Sequence, residues 1–206
     1  MTRVDRKESV AGCAGYGETA DALNEFPKGG LSTVTLGALA AFPQQLEAHY
    51  AAIPEEFKHW KPPSWEGIPS EPFTAIEQVC HVRDIEVDGY HARFRRTLNE
   101  INPTLVSIDG AALAEERSYA TSSASEAFAV FREARAITVQ LLSGLTPEEL
   151  MRVAVFEDYG PLTLRSLAHY LCSHDQQHLA GLQWLLGKIE ALSAQARTPD
   201  SKEENQ

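Results

Sequence analysis

Cysteine, positive charge and long apolar runs are all scarce in this chain. The three cysteines among 206 residues, Cys13, Cys80 and Cys172, are odd in number and widely spaced. They exclude a disulfide scaffold and read as reduced thiols of a cytoplasmic protein. No stretch approaches the ~18 consecutive apolar residues of a membrane span, so no membrane partner is expected. The opening residues, MTRVDRKESV, carry charges with no apolar run behind them, which argues against a secretory signal. Eighteen Lys and Arg stand against twenty-nine Asp and Glu, a formal net charge of −11. Phosphate backbones are bound through clustered cations. The one dense basic cluster here, Arg93, Arg95 and Arg96, reads as a solvated helix face, so nucleic acid is excluded as a partner. A Gly-rich phosphate loop and a Gly-x-Ser-x-Gly elbow are also missing.

What is present is the composition of one globular domain, 43% hydrophobic and 23% charged. Residues 1–30 are rich in Gly and Ala without a sustained apolar period, which predicts a flexible N-terminal arm. Residues 193–206 end in the polar run RTPDSKEENQ and are expected to be a disordered tail. Between them, residues 31–192 divide into four helical segments. The first spans about Thr33 to Ala52, with Leu39, Leu46 and Ile53 seven apart and Pro43 inside it, as a kink or as a restart. Five of the eleven prolines then fall between Pro54 and Pro72, excluding regular helix there. The second helix opens at the capping box Thr74-Ala-Ile-Glu77 and runs to about Asn99, stopped by Asn102-Pro103. The third opens at Ser123-Ala-Ser-Glu126 and ends at Gly144. Thr146-Pro-Glu-Glu149 starts a short helical turn, and the fourth long helix runs from about Thr163 to Lys188. The only strand-like stretch is Arg152 to Phe156. The expected fold is all-α, a four-helix bundle, with long connections after helices one and two that cross over or cover a site.

The fourth helix carries the chemistry. At about 100° per residue, Leu164, Leu167, Leu171, His174, His178, Leu182 and Leu185 fall within roughly an 80° sector. His174 and His178 therefore project from the face to be buried, one turn apart, while His169 points the opposite way. A buried imidazole needs a hydrogen bond or a metal. The i, i+4 spacing on one stripe is how a single helix offers two nitrogens to one cation; the alternative is two satisfied core histidines. A metal needs a third ligand, and His49, His59, His81 and His91 are the candidates. On helix two the apolar stripe is Ile76, Cys80, Val87, Phe94 and Leu98. His91 lies on it and His81 roughly 100° away, so geometry alone slightly favours His91. His174-Asp-Gln-Gln-His178 is a poor metalloprotease helix, with Asp175 one methylene short of the usual glutamate and no further histidine following. A di-iron centre needs two Glu-x-x-His helices, and the only such run, Glu56 to His59, is in a loop. Cys80 and Cys172 read as small apolar packing residues rather than nucleophiles.

Four passages together resemble the DinB-like four-helix superfamily of metal-dependent enzymes. They are Phe73-Thr-Ala-Ile-Glu-Gln-Val-Cys-His-Val-Arg-Asp84, in which a histidine is followed three positions later by an acid; Asn102-Pro103 with Glu116-Arg-Ser-Tyr119; Gly160-Pro-Leu-Thr-Leu164; and His174-Asp-Gln-Gln-His-Leu179. The likeness covers about residues 33–190. It implies that His81 is the third ligand, joining His174 and His178 around a divalent ion. Members with assigned roles include transferases and isomerases that use low-molecular-weight thiols. The resemblance therefore implies a metal-dependent transferase or hydrolase acting on a small electrophilic molecule, with a small thiol as cosubstrate. Imidazole ligands suit zinc, nickel or iron alike. Asp84 and Asp175 are candidates to fix ring tautomers, and Trp60 and Trp65 are candidate substrate walls. Bundles of this kind commonly form homodimers, which is the expected assembly. The rival expectation is a non-catalytic bundle in which the histidines, or a metal they hold, are structural.

Overall fold

A computed structural model describes residues 29–197. The bundle is built from α1 (Thr33–Ala52), the pair α2 (Ala75–Asp84) and α3 (His91–Asn99), α5 (Ala124–Ser143) and α7 (Leu164–Arg197); α4 (Gly110–Glu116) and α6 (Pro147–Leu150) are short connectors. A π-helical segment, Ile85–Tyr90, joins α2 to α3 without a break, so the second long helix is one rod with a widened turn in it. α1 packs chiefly on α5 and α7, and α2 likewise packs on α5 and α7. The first two helices of the chain are thus diagonal, and the Pro54–Pro72 link crosses the end of the bundle to join them.

The helix starts follow their local chemistry. Glu77 accepts the Thr74 N–H at 2.8 Å, Ser123 Oγ accepts the Glu126 N–H, and Thr146 and Glu149 form a full reciprocal box ahead of Pro147. Pro43 stands inside an unbroken α1. A mid-helix proline leaves the carbonyl four residues back without its donor; here that carbonyl, on Leu39, accepts instead from Arg135 Nη1 at 3.2 Å. The expected restart is therefore unnecessary.

Three features depart from expectation. The strand-like stretch is one of three: β2 (Val153–Phe156) pairs antiparallel with β3 (Gly160–Thr163) and parallel with the two-residue β1 (Thr104–Leu105). Residues 193–197, expected as tail, continue α7; Ile189 still anchors the helix in the core, and no breaker occurs before Pro199. Arg93, expected on a solvated face, is buried at 6% exposure. The N-terminal arm before Gly29 and the tail after Arg197 lie outside the described residues.

The core is divided. One apolar cluster includes Phe42, Leu46, Ile76, Val79, Phe131, Leu182 and Leu185; the other includes Leu39, Phe94, Leu105, Leu142, Phe156, Leu167 and Leu171. Along α2 and α7 the change from one cluster to the other falls at the same height, and there the buried side chains are polar: His81, Asp84, Glu86, Arg135, Thr138, Asp175 and His178. Buried polar groups require partners, so this belt is where the bundle's specific chemistry is concentrated.

Candidate metal centre

His81 projects from α2, and His174 and His178 from successive turns of α7. The Nε2 of His174 is 3.2 Å from that of His81 and 3.1 Å from that of His178. Nitrogens bonded at about 2.0–2.1 Å to one tetrahedral ion stand about 3.3 Å apart, so His174 already stands from each of the other two rings at the spacing of a shared ligand set, and the ligand atoms of all three lie within 4.8 Å of one another. They are the one group of three or more metal-ligating side chains of this kind among the described residues. His81 and His178 are buried, and half-buried His174 faces a cavity.

The protonation states suit ligation. Burial lowers the pKa of His81, against opposing pulls from Glu71 and Asp84. Burial also lowers His174 and His178 well below the ordinary histidine value, assisted by the neighbouring rings. All three imidazoles are held neutral, as metal binding demands.

Gln78 fixes one tautomer. Its Nε2 donates to Ser70 Oγ at 2.8 Å and to the carbonyls of Glu71 and Phe73 at 3.3 Å. The amide oxygen is thereby left facing His178 Nδ1, from which it accepts. A proton on Nδ1 leaves the Nε2 lone pair free towards the centre. The same amide ties down residues 70–73, the end of the proline-rich link, and so holds Glu71 over the rings. Glu71 Oε1 is 3.5 Å from His81 Nε2 and its Oε2 3.4 Å from His178 Nε2.

Two glycines make this packing possible. A Cβ at Gly181 would lie 2.4 Å from Ser70 Oγ and 3.0 Å from Gln78 Nε2. A Cβ at Gly110, the first residue of α4, would lie 2.6 Å from His81 Cε1 and 2.9 Å from its Nδ1. The connector that brings Gly110 against the ring is anchored behind it, where Asp84 accepts from Tyr119 Oη at 2.7 Å and pairs with Arg117 at 2.9 Å.

The other sequence candidates lie elsewhere. His91 Nε2 bonds the Ala134 carbonyl at 3.0 Å and Thr138 Oγ1 at 3.1 Å; His59 and His169 are exposed; and His49 bonds Gln45 O and Gln183. Asp84 and Asp175 hydrogen-bond no histidine: Asp84 is taken by Arg83, Arg117 and Tyr119, and Asp175 by Arg135. Trp65 stacks on Trp184 and Trp60 meets Phe57 edge-on. Neither tryptophan lines the cavity beside His174. Its walls come from the π-helical segment (Tyr90), the β2–β3 hairpin (Phe156, Tyr159) and α7 (Tyr170), enclosing about 350 Å³. The thiols of Cys80 and Cys172 are free. Burial pushes both up, Cys172 to about 11, so neither is an activated nucleophile. Glu71, Gln78 and Gly110 were not singled out by the sequence. Glu71 looks like Glu55, Glu56 or Glu66 in the same link, and nothing in the spacing marks it.

No curated protein matches this chain. Its fold is similar to that of YfiT from Bacillus subtilis, with a TM-score of 0.66 and 20% identity over 91% of this chain and 94% of that one. That protein is called a probable metal-dependent hydrolase with an unusual four-helix bundle topology. Among the described residues, no helix is long and apolar enough to cross a membrane. The family model of the DinB superfamily matches residues 38–182, most of the bundle and all three clustered histidines, and on that match the chain belongs to the DinB superfamily.

Proposed function

We propose that this protein is a metal-dependent enzyme in which His81, His174 and His178 hold one divalent ion and a small electrophile undergoes thiol transfer or hydrolysis. The observation that carries this reading is the cluster of three imidazoles beside an open cavity, with the Nε2 of His174 3.2 Å from that of His81 and 3.1 Å from that of His178. A divalent ion bound there supplies Lewis acidity, lowering the pKa of a coordinated thiol or water so that a nucleophile exists near neutral pH. Zinc, nickel and iron all suit three imidazoles. Glu71 is our candidate for general base: its carboxylate borders the same nitrogens and, at 43% side-chain exposure, can pass a proton to solvent. Gln78 holds the His178 ring in the tautomer that ligation needs. With Cys80 buried, Cys172 half-buried and both thiols raised by desolvation, the sulfur nucleophile is assigned to a low-molecular-weight cosubstrate rather than to either of them.

A structural ion is the second reading, since the centre ties α2 to α7. Structural sites are closed, whereas catalytic ones keep a position open, and the cavity at His174 favours catalysis. Elemental analysis of the purified protein, followed by metal titration of the wild type and of His81→Ala, tests the assignment. Near-stoichiometric metal in the wild type and its loss in the variant are expected; undiminished metal in His81→Ala would overturn it. A thermal melt with and without chelator then separates the two readings, because a structural ion would carry a large part of the stability.

A further inference from the structure

The cavity beside the three imidazoles has a second polar end. Arg93, from α3, reaches its wall with the side chain buried. Its guanidinium carbon lies 4.6 Å from the Phe156 ring centroid and 5.1 Å from that of Tyr90, so aromatic contacts fix the position of the fork. Of its five N–H groups, Nη2 donates to the Val106 carbonyl at 3.2 Å, while buried Nε has no partner. No carboxylate pairs with it among the described residues. Burial lowers its pKa, against opposing pulls from Tyr90 and Tyr159.

This is unusual in a chain with a net charge of −11, where acids outnumber bases. A buried, unpaired guanidinium is costly in the free protein, and the chain has a carboxylate at the opposite end of the same cavity. Glu71 borders the imidazoles yet does not bond Arg93. Glu157 and Asp158 bond Ser107 of the cavity wall but do not themselves line the cavity. Tyr90 stands between the two ends, its ring against both the Arg93 fork and, at 6.4 Å between centroids, the His174 ring.

We infer that Arg93 is the recognition site for a carboxylate group on the molecule that reacts at the histidine cluster, the fork donating to the two oxygens while the reacting atom reaches the rings past Tyr90. A planar fork matches a carboxylate through parallel N–H···O bonds and supplies the positive charge a cleft in an acidic protein would otherwise lack. The reacting group and the carboxylate are then separated by a few bonds on one small acid. This inference names the substrate class for the function proposed above, but the anion site itself does not require the metal.

The probe is propionate, titrated into the metal-free full-length protein while the arginine Nε–H resonances are followed by nuclear magnetic resonance. Saturable movement of the Arg93 Nε–H signal is expected, with propionamide giving none. Arg93→Gln should weaken propionate binding about ten- to a hundredfold, the usual loss for a charge-assisted hydrogen-bonded contact. Arg93→Lys, which keeps the charge over the rings but not the fork, should fall between the two and covers the case in which the glutamine variant fails to fold. An unmoved Arg93 signal in the wild type, or equal propionate affinity in wild type and both variants, would overturn the inference. His81→Ala separates this result from the metal assignment, since it should abolish metal binding and leave the propionate response intact. Cobalt-loaded protein then identifies the carrier of the carboxylate. Tighter binding of 3-mercaptopropionate than of 2-mercaptoethanol assigns the carboxylate to the thiol; equal binding of the two, with the propionate response retained, assigns it to the electrophile.

Discussion

Two arginines are buried in this bundle, Arg135 in the polar belt and Arg93 in the wall of the cavity, and their surroundings are opposite. Arg135 has five N–H groups and five acceptor contacts: Glu86 Oε1 and Oε2 at 3.1 and 3.0 Å, Asp175 Oδ2 and Oδ1 at 2.6 and 2.9 Å, and the Leu39 carbonyl at 3.2 Å. Thr138 donates to Glu86, and His91 bonds Thr138 in turn. Arg93, at the cavity wall, has among the described residues one hydrogen-bond acceptor and an unpartnered Nε. The neighbours His174 and Asp175 of α7 mark the division, one ring facing the cavity and one carboxylate facing the closed network. A closed network holds the helices in register; an open one, with neutral imidazoles and unspent donors, has capacity left for a ligand. The same helix therefore carries architecture on one face and chemistry on another.

The largest effect is expected from breaking the closed side. Arg135→Met removes the cation from two buried carboxylates and the donor from the carbonyl that Pro43 leaves free. Breaking a buried pair from one side typically costs about 3–5 kcal/mol because a charge is left uncompensated. Urea unfolding should show a loss of that order. A change below about 1 kcal/mol would mean that the network is not what fixes the bundle, and the contrast drawn above would fail.

The open side should respond in affinity rather than in stability. Gln78→Leu removes the acceptor that fixes the His178 tautomer and releases the segment bearing Glu71. Loss of such ring-orienting partners typically weakens metal binding by about 10- to 100-fold, measurable by competition with a chromophoric chelator. Gly181→Ala, whose methyl group would press on Ser70 and Gln78, should shift affinity in the same direction by less. Wild-type affinity in Gln78→Leu would show that the ring is held by other means.

The sequence made the fold largely legible, and the centre only in part. Caps, prolines and apolar stripes located the long helices, because those signals are local. The stripe on α7 turned His174 and His178 inward, because a regular helix keeps its phase. On the second helix that arithmetic misled. Counting 100° per residue across Ile85–Tyr90 favoured His91 over His81, yet this segment is π-helical, and its wider turn breaks the phase between α2 and α3. His91 consequently belongs to the Arg135 network. It was the resemblance, not the geometry, that pointed to His81. Glu71, Gln78 and Gly110 reach the rings through tertiary contacts of two irregular links, and no period in the sequence encodes such contacts. Arg93 was misread for a related reason: its neighbours Arg95 and Arg96 suggested a solvated patch, while the fold turns Arg93 alone inward.

Asp84, which closes the connector behind His81, provides a test in pH. Burial by itself would raise its carboxyl, but hydrogen bonds from Arg83, Tyr119 and Arg117 outweigh that and hold it below the ordinary value of 3.8. A depressed folded pKa means that the unfolded chain takes up the proton first. The stabilisation is therefore complete above about pH 4 and disappears as the pH falls through the folded value. Asp84→Asn should lower stability by about 2 kcal/mol at pH 7, and the gap between variant and wild type should shrink at pH 3. A gap that stays constant across this range would mean that the carboxylate charge contributes nothing there.

The smallest stability effect is expected at the second arginine, and it is the direct counterpart of the first. Arg93→Met keeps an unbranched chain against Tyr90 and Phe156 while removing a cation that has no carboxylate partner. The losses are one hydrogen bond to Val106 and two contacts with aromatic rings; the gain is relief from holding an unpaired charge out of water. Contacts of these kinds contribute about 1 kcal/mol each, and exchanging a buried ion for an apolar side chain of similar size is often neutral or stabilising. The unfolding free energy of Arg93→Met from urea titration should stay within about 1 kcal/mol of the wild type, against the several lost in Arg135→Met. If the two methionine variants are equally unstable, Arg93 is as much a part of the framework as Arg135, and its open donors are not held in reserve for a ligand.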